Sequence, residues 1–280
     1  MPNTLAHIAV QGAIGRSLLR PGDLIWILIG CVIPDVAWII WRVGMAVAGN
    51  WVPYQLKLYA IVQSSLLGSM ILCAAIAALT PKPGRVFALL SVNAFLHLLL
   101  DATQTKWANG AIFGAPLTWR MTNFGLYWPE EWPTTVMTVL GLAACIYFSW
   151  RYRNSPLFTF TKPTSKKMVV AGVFLLLYVG LPPMIWSGAV AADNHFVHTL
   201  ARVGDRLGRP IELDRSPYRL QDDQLLIRTI TGEYLVADAP DLPQRGRLSV
   251  RATFIDSKRI RIDDYHWHNP GWRDGASVVG

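Results

Sequence analysis

The chain has 280 residues, of which 52% are hydrophobic and 16% are charged, and this composition predicts an integral membrane protein that carries a soluble part. The net charge of +8 does not indicate nucleic-acid binding, because the basic residues lie beside apolar segments and not in a patch interleaved with aromatic residues. Cys31, Cys73 and Cys145 lie far apart within apolar segments, which argues against a disulfide framework or a cysteine zinc site.

The first two segments are apolar, and each contains a polar residue that lipid would not accept. Residues 3–20 are amphipathic and include His7; at about 26 Å of helix they fall just short of the hydrocarbon core, so this segment could span, tilt or re-enter. Residues 24–48 form a strong transmembrane candidate with Pro34 and Asp35 near its middle. Because the proline loosens the helix and a carboxylate follows at once, we expect this helix to line a cavity and to present Asp35 there; the alternative is a structural kink.

Further spans are predicted at residues 56–79, 86–106, 134–150 and 168–190. In the first of these, Gln63, Ser64, Ser65 and Ser69 form a polar face, which favours close helix packing. The fold class expected is mainly α, a polytopic transmembrane bundle of five or six helices that is followed by a small C-terminal β domain.

The segment 86–106 is the centre of the prediction, because it is apolar enough to enter a bilayer and yet contains Asn93, His97 and Asp101. At helical spacing these three side chains share one face, one turn apart. Ionisable groups at membrane depth normally face a bundle interior or a wet cavity and mark a functional site. The alternative is a histidine that is satisfied by the aspartate one turn away and holds two helices together.

Residues 107–132 form a long aromatic loop with Glu130 and Glu131 near its end, and loops of this length are commonly functional lids. From about residue 191 alternation replaces helical runs, and short strands are predicted at residues 225–230, 233–237, 248–255 and 259–263. We therefore expect two domains, a transmembrane domain at 1–190 and a soluble β domain at 191–280, the latter a compact barrel or an OB-like sheet.

The positive-inside rule places the basic loops at residues 82–85 and 151–167 in the cytoplasm. By alternation the β domain is extracytoplasmic, and His7, His97 and Asp101 lie in the outer half of a bacterial-type inner membrane, with Asp35 nearer its middle. Two imidazoles and two carboxylates suit a divalent metal such as zinc or manganese. A proton path needs the same residue types, so this chemistry alone does not choose between them.

The motifs Thr4-Leu-Ala-His7, Gly30-Cys-Val-Ile-Pro-Asp35 and His97-Leu-Leu-Leu-Asp101, with Asn109-Gly110 and Ala115-Pro116 after them, resemble the YdjM-type, LexA-regulated membrane-bound metal-dependent hydrolases over about residues 1–150. The resemblance implies that His7, Asp35, His97 and Asp101 are metal ligands. It departs from the family at Ser64, which stands where the family usually has a histidine. This chain would then hold one metal with fewer ligands, use Gln63 in part, or have lost catalysis.

Two further histidine pairs are weaker candidates. His195 and His198 share a helical face just after the last span and could cover the site, although such a pair is more often a polar exit from the membrane. His266 and His268 share a strand face that can bind metal, but without a third ligand nearby a surface strand end is the simpler interpretation.

The function expected is a metal-dependent hydrolase that acts on an ester or phosphoester of an amphipathic or lipid-linked substrate, which enters from the bilayer. Its cofactor would be a divalent metal ion, and Glu130 or Glu131 is the candidate for acid or base catalysis. The alternative is a non-enzymatic membrane protein with a structural or proton-conducting polar network and an outer β domain that binds a partner.

Overall fold

The computed structural model describes residues 6–7, 10–11, 23–48, 54–151 and 162–268. Nine α-helices can be delimited within these ranges. They are α1 Leu24–Val32, α2 Val36–Ala48, α3 Tyr54–Gln63, α4 Leu66–Ala78, α5 Pro83–Thr103, α6 Trp132–Arg151, α7 Ser165–Gly180, α8 Pro182–Ala191 and α9 Val197–Ala201. Five strands follow: β1 Pro210–Gln221, β2 Gln224–Arg228, β3 Tyr234–Asp238, β4 Arg245–Phe254 and β5 Ile260–His268. Short 3₁₀ turns lie at Ile33–Asp35, Asn194–Phe196 and Val203–Asp205.

The helical part is compatible with a membrane protein, but it has fewer spans than expected. Within the described residues, three helical stretches are long and apolar enough to cross a membrane: Leu24–Val47, Pro83–Thr103 and Ser165–Ala191. The bent pair α3 and α4 gives a fourth if it counts as one span, and Trp132–Phe148 is apolar but shorter. The expectation of five or six spanning helices is therefore only partly confirmed. The segment predicted at residues 3–20 lies largely outside the described residues.

The expected single span at residues 56–79 is in fact two helices that meet at 71°. The sequence cause is local, because the Ser65 hydroxyl accepts a hydrogen bond from the Gly68 amide at 3.2 Å and so caps the N-terminus of α4. At Gly68 an added Cβ would clash with the Gln63 carbonyl, so the bend requires a residue without a side chain. Ser65 thus marks the point at which α3 ends and α4 begins.

Helix α5 is central to the bundle, and it packs against α1 and α4, while α4 also packs against α7. The approach of α1 to α5 is close, because a Cβ at Gly30 would lie only 2.7 Å from the Asn93 Cβ. Ile33, Leu72, Leu90 and Tyr178 belong to the apolar core that these helices share. This packing buries the polar face of α5 inside the bundle.

The connecting loop (residues 104–131) runs from α5 to α6 and is held by its own hydrogen bonds. The Phe124 amide donates to Ala102 O at 2.6 Å, and the Ala111 and Thr122 amides exchange bonds at 3.0 and 2.8 Å. Trp119 packs so tightly on α8 that a Cβ at Gly188 would clash with its indole. The loop therefore has a fixed shape on one end of the bundle.

The C-terminal strands form one antiparallel sheet in the order β3-β2-β1-β4-β5. The sheet curls, because a parallel bridge between Val236 and Arg259 brings β3 beside the start of β5. Ile211, Leu225, Leu235, Leu248 and Phe254 are buried on its concave face. Four strands overlap the predicted ones, whereas β1 was missed because Pro210, Pro217 and a bulge between Leu213 and Ser216 interrupt its strand pattern.

The sheet lies directly on the connecting loop. The Glu212 carboxylate accepts a hydrogen bond from the Ala108 amide at 2.7 Å, and the Arg251 guanidinium lies 4.7 Å from the Trp107 ring centre. The loop is thus enclosed between the bundle and the sheet.

The bend between α3 and α4 is testable at Gly68. We expect Gly68→Ala to lower the free energy of unfolding by about 2 kcal/mol, because the new methyl group meets backbone that cannot move without straightening the bend. Gly172→Ala is the matched control, since nothing lies within 4 Å of its added Cβ. Thermal unfolding of the detergent-solubilised variants measures the difference, and equal stabilities would contradict the packing described for the bend.

Candidate functional site

Three of the predicted metal ligands meet at one point in the bundle. His7 Nε2 lies 3.7 Å from Asp101 Oδ1, and His97 Nε2 lies 3.3 Å from Asp101 Oδ2. His7, His97 and Asp101 each offer a ligand atom, and these atoms lie within 4.8 Å of one another. Asp35 joins from the other side, with its Oδ1 3.5 Å from His97 Nε2. We call these four residues the bundle cluster.

Each member of the bundle cluster owes its position to a local feature of the chain. His97 and Asp101 are one turn apart on α5, as their spacing predicts. Asp35 ends the 3₁₀ turn that Pro34 introduces between α1 and α2, which turns its carboxylate towards α5. His7 stacks on His97 with ring centres 3.8 Å apart and ring planes within 4°.

The bundle cluster is buried, and its polar atoms are poorly satisfied. His7 and His97 have no exposed surface. Among the residues that the structure describes, both ring nitrogens of His7, both of His97 and Oδ1 of Asp35 lack a hydrogen-bond partner. Buried polar atoms are normally hydrogen-bonded, so unpaired nitrogens next to carboxylates fit a site for a cation. The donor set of two imidazoles and two carboxylates suits zinc or manganese.

A cavity of about 230 Å³ opens beside the bundle cluster, and Asp101 forms part of its wall. The helices contribute Trp38, Arg42 and Lys57, and the connecting loop contributes Lys106 and Asn109. Strand β1 contributes Glu212, Asp214 and Ser216 to another part of the wall. The cavity therefore lies between the bundle, the loop and the sheet.

Two lysines line the same cavity as Asp101. Lys106 Nζ lies 3.5 Å from Asp101 Oδ1, and Lys57 Nζ lies 3.5 Å from the His195 carbonyl oxygen. The acidic residues of β1 are already engaged, since Glu212 accepts from Arg251 at 2.9 Å and Asp214 accepts from Ser249 at 3.0 Å. Three cationic side chains, Arg42, Lys57 and Lys106, thus share the cavity lining with three acidic ones, Asp101, Glu212 and Asp214.

His195 lines the cavity, which agrees with the interpretation that this histidine pair covers the site. His198 does not line the cavity. The His195 ring lies 5.3 Å from the Trp38 ring. Burial lowers the pKa of His195 to about 3, and the charge of Lys57 acts in the same direction. His198 lies instead beside Arg209, with 3.4 Å between His198 Nδ1 and Arg209 Nη1. His195 is therefore a neutral wall of the cavity at physiological pH.

Ser64 lines the cavity, whereas Gln63 does not. Ser64, which the resemblance places where those hydrolases have a histidine, lines the cavity and donates to Ile61 O at 3.3 Å. The Gln63 amide points elsewhere and donates to the Tyr178 carbonyl at 3.1 Å. A ligand role for Gln63 therefore has no support in this geometry.

Glu130 and Glu131 do not line the cavity that Asp101 borders. Glu130 Oε1 lies 2.7 Å from His266 Nε2 and 2.9 Å from His268 Nδ1, and its Oε2 accepts from Arg215 at 2.8 Å. Burial opposes ionisation of Glu130, but these contacts prevail and hold its pKa well below its usual range. Glu131 accepts a hydrogen bond from the Trp128 amide at 3.2 Å. Their acid or base role stays a prediction.

The sequence analysis did not identify Lys57 and Lys106 as cavity residues. It also did not identify Glu130 as the partner of His266 and His268. Lys106 had a signal, because it follows closely after Asp101, and Lys57 is a lone cation in an apolar helix. Glu130 had none, since it is more than a hundred residues from His266 and His268 and only the fold brings them together.

Neither a scan against protein-family models nor searches of curated proteins and of solved structures found a match. The resemblance to the YdjM-type hydrolases therefore stays a prediction from short motifs.

The neutral state of His195 predicts a pH-dependent stability. In the unfolded chain a histidine takes up its proton near pH 6.5, whereas folded His195 does so near pH 3. Stability is therefore full above pH 6.5 and is lost as the pH falls, by up to about 2 kcal/mol at pH 5. We expect the melting temperature of His195→Gln to fall less between pH 7 and pH 5 than that of the wild type.

His198→Gln is the control for this measurement, because His198 is half-buried three residues away and does not line the cavity. It should keep the pH dependence of the wild type. If His195→Gln keeps it as well, His195 is not held neutral by its surroundings.

Proposed function

We propose that this protein is a membrane-embedded, metal-dependent hydrolase that cleaves a phosphoester of an amphipathic or lipid-linked substrate. The observation that carries the proposal is that Asp101 of the bundle cluster lines a cavity that Lys57 and Lys106 also line, while the imidazole nitrogens of the cluster lack a hydrogen-bond partner among the described residues. A buried cluster without a cavity would fit a purely structural network equally well.

The chain's own residues would divide the work at this site. His7, His97 and Asp101 would hold the cation, and Asp35 would complete or orient the set through its contact with His97. A bound zinc or manganese ion would supply Lewis acidity and lower the pKa of a water molecule. The apolar helices around the bundle cluster would exclude bulk water.

A phosphoester is favoured over a carboxylic ester because of the charges in the cavity. Lys57 and Lys106 present ammonium groups to the same space as Asp101. Ammonium groups form charge-assisted hydrogen bonds with phosphate oxygens, which a neutral ester cannot match. Lys106 would thus bind the anion close to the cation site.

The membrane setting suggests how such a substrate arrives. Asp101 is near the end of the candidate span Pro83–Thr103, so a headgroup could enter while its lipid tail stays in the bilayer. We further propose that the membrane is a bacterial-type inner membrane, that the cavity faces its outer side, and that the curled sheet is an OB-like barrel which covers the cavity from outside the cytoplasm.

Metal content tests the bundle cluster directly. We expect purified wild-type protein to retain a divalent metal at the bundle cluster and His97→Ala and Asp35→Ala to lose it, because each change removes a donor or its partner from the set. Asn93→Ala is the matched control, since Asn93 is buried one turn earlier on α5 and donates to Leu89 O at 2.8 Å. Elemental analysis of folded samples provides the readout.

If the folded wild type and His97→Ala contain the same amount of metal, whether none or some, the bundle cluster holds no ion. That result would favour the non-enzymatic alternative of a structural or proton-conducting network.

Anion recognition is tested at Lys106. With bis(p-nitrophenyl) phosphate as the probe, we expect Lys106→Gln to raise KM about tenfold, the loss of one charge-assisted hydrogen bond. The control is Lys82→Gln, an exposed lysine outside the cavity. Metal content is measured in the same samples, because Lys106 also contacts Asp101. Hydrolysis of p-nitrophenyl acetate in preference to the phosphate would contradict the substrate class.

A further inference from the structure

A second group of metal-type side chains lies away from the cavity, where the connecting loop meets the sheet. Glu130 comes from the turn before α6, and His266 and His268 alternate on β5, so that both rings face the loop. Glu130 Oε1 lies 2.7 Å from His266 Nε2 and 2.9 Å from His268 Nδ1. The three ligand atoms lie within 4.8 Å of one another. We call this group the loop–sheet cluster.

The hydrogen bonds behind His268 decide which of its nitrogens carries a proton. The Ser249 hydroxyl donates its single proton to Asp214 Oδ1 at 3.0 Å and accepts from the Arg215 amide at 3.0 Å. Towards His268 Nε2, which is 2.8 Å away, the Ser249 oxygen can therefore only accept. Nε2 of His268 must carry the N–H.

This assignment leaves two acceptors facing each other in the neutral ring. With its proton on Nε2, neutral His268 presents a lone pair at Nδ1 to the Glu130 carboxylate oxygen 2.9 Å away. Two lone pairs at this distance repel unless a proton or a metal cation lies between them. A histidine that binds a metal through one ring nitrogen usually donates the N–H of its other ring nitrogen to a second residue.

The other members of the loop–sheet cluster are fixed in the same way. The His266 ring stacks on Trp128 with centres 3.8 Å apart and planes within 5°, which sets its orientation. Arg215 bonds Glu130 Oε2 at 2.8 Å and leaves Oε1 for the histidines. Both rings and the carboxylate are thus oriented towards one another before any ion arrives.

We propose that Glu130, His266 and His268 bind a divalent cation, with zinc the best match, that fastens the sheet to the connecting loop. Two imidazoles and one carboxylate are an established zinc ligand set that leaves one position for water. Bonds to zinc of about 2.0–2.1 Å place tetrahedral ligands about 3.3 Å apart, so Glu130 has to withdraw by about half an ångström, which its place in a turn allows. The ion would join residues from the membrane part and from the β domain.

The consequence of this site concerns the cavity beside Asp101. Strand β1 forms one wall of that cavity, and β1 pairs with β4, which pairs with β5. An ion that holds β5 on the loop would therefore hold the outer wall of the cavity in place. This role does not depend on any chemistry at the bundle cluster.

Zinc binding to the full chain in detergent tests the proposal. After chelator treatment and dialysis, zinc is added to the wild type, to His97→Ala, and to Glu130→Gln, which keeps the shape of the side chain. We expect His97→Ala to bind about one zinc ion per chain and to gain melting temperature on binding it. Glu130→Gln should lose at least tenfold in affinity for this ion. His198→Ala, a histidine near the same junction but outside the cluster, should bind as the wild type does.

The result for His97→Ala decides the matter even if Glu130→Gln fails to fold. One equivalent in His97→Ala that raises its melting temperature supports the loop–sheet cluster, whether or not the bundle cluster also binds an ion in the wild type. No zinc in folded His97→Ala, or undiminished zinc in folded Glu130→Gln, overturns the proposal and leaves a protonated His268 paired with Glu130.

Discussion

The burial of two stacked imidazoles beside two carboxylates is the constraint on which the rest of the structure depends. His7 and His97 are fully buried, and within the described residues their ring nitrogens have no hydrogen-bond partner, which would destabilise an apolar bundle unless a cation or a proton satisfied them. The Pro34 turn aims Asp35 at His97, and the close approach at Gly30 brings α1 against α5. The helix packing around this point is organised to keep these groups together and dry.

The connecting loop links this buried chemistry to the soluble part of the chain. On one side its Trp119 packs on α8, and on the other its Ala108 amide binds Glu212 of the sheet. Because the cavity has walls from all three parts, neither the bundle nor the sheet alone would form it. The sheet is therefore part of the candidate site, which gives the β domain a physical role beyond that of an appended module.

The two candidate cation sites differ in what they would do. The bundle cluster borders the cavity through Asp101, and Lys106 lies beside it, an arrangement suited to binding and cleaving an anionic group. The loop–sheet cluster lies outside the cavity lining and joins two distant parts of the chain through Glu130 and the β5 histidines. The proposed chemistry at the first site and the proposed link at the second would therefore be separable.

The sequence by itself determined what depends on local spacing. The four-residue interval between His97 and Asp101, the turn at Pro34, the apolar helices and four of the five strands follow from periodicity and turn chemistry over a few residues. The tertiary structure alone placed Lys57 in the cavity and Glu130 on His266 and His268, and it showed that His7 stacks on His97 within the ligand set that the resemblance had implied. Local patterns fix which face of an element is polar, but the partner of that face is set by how helices and strands pack. The bend at Ser65 and the bulge in β1 were also visible only in the tertiary structure. A helix cap and a bulge interrupt the periodic patterns from which sequence predictions are made.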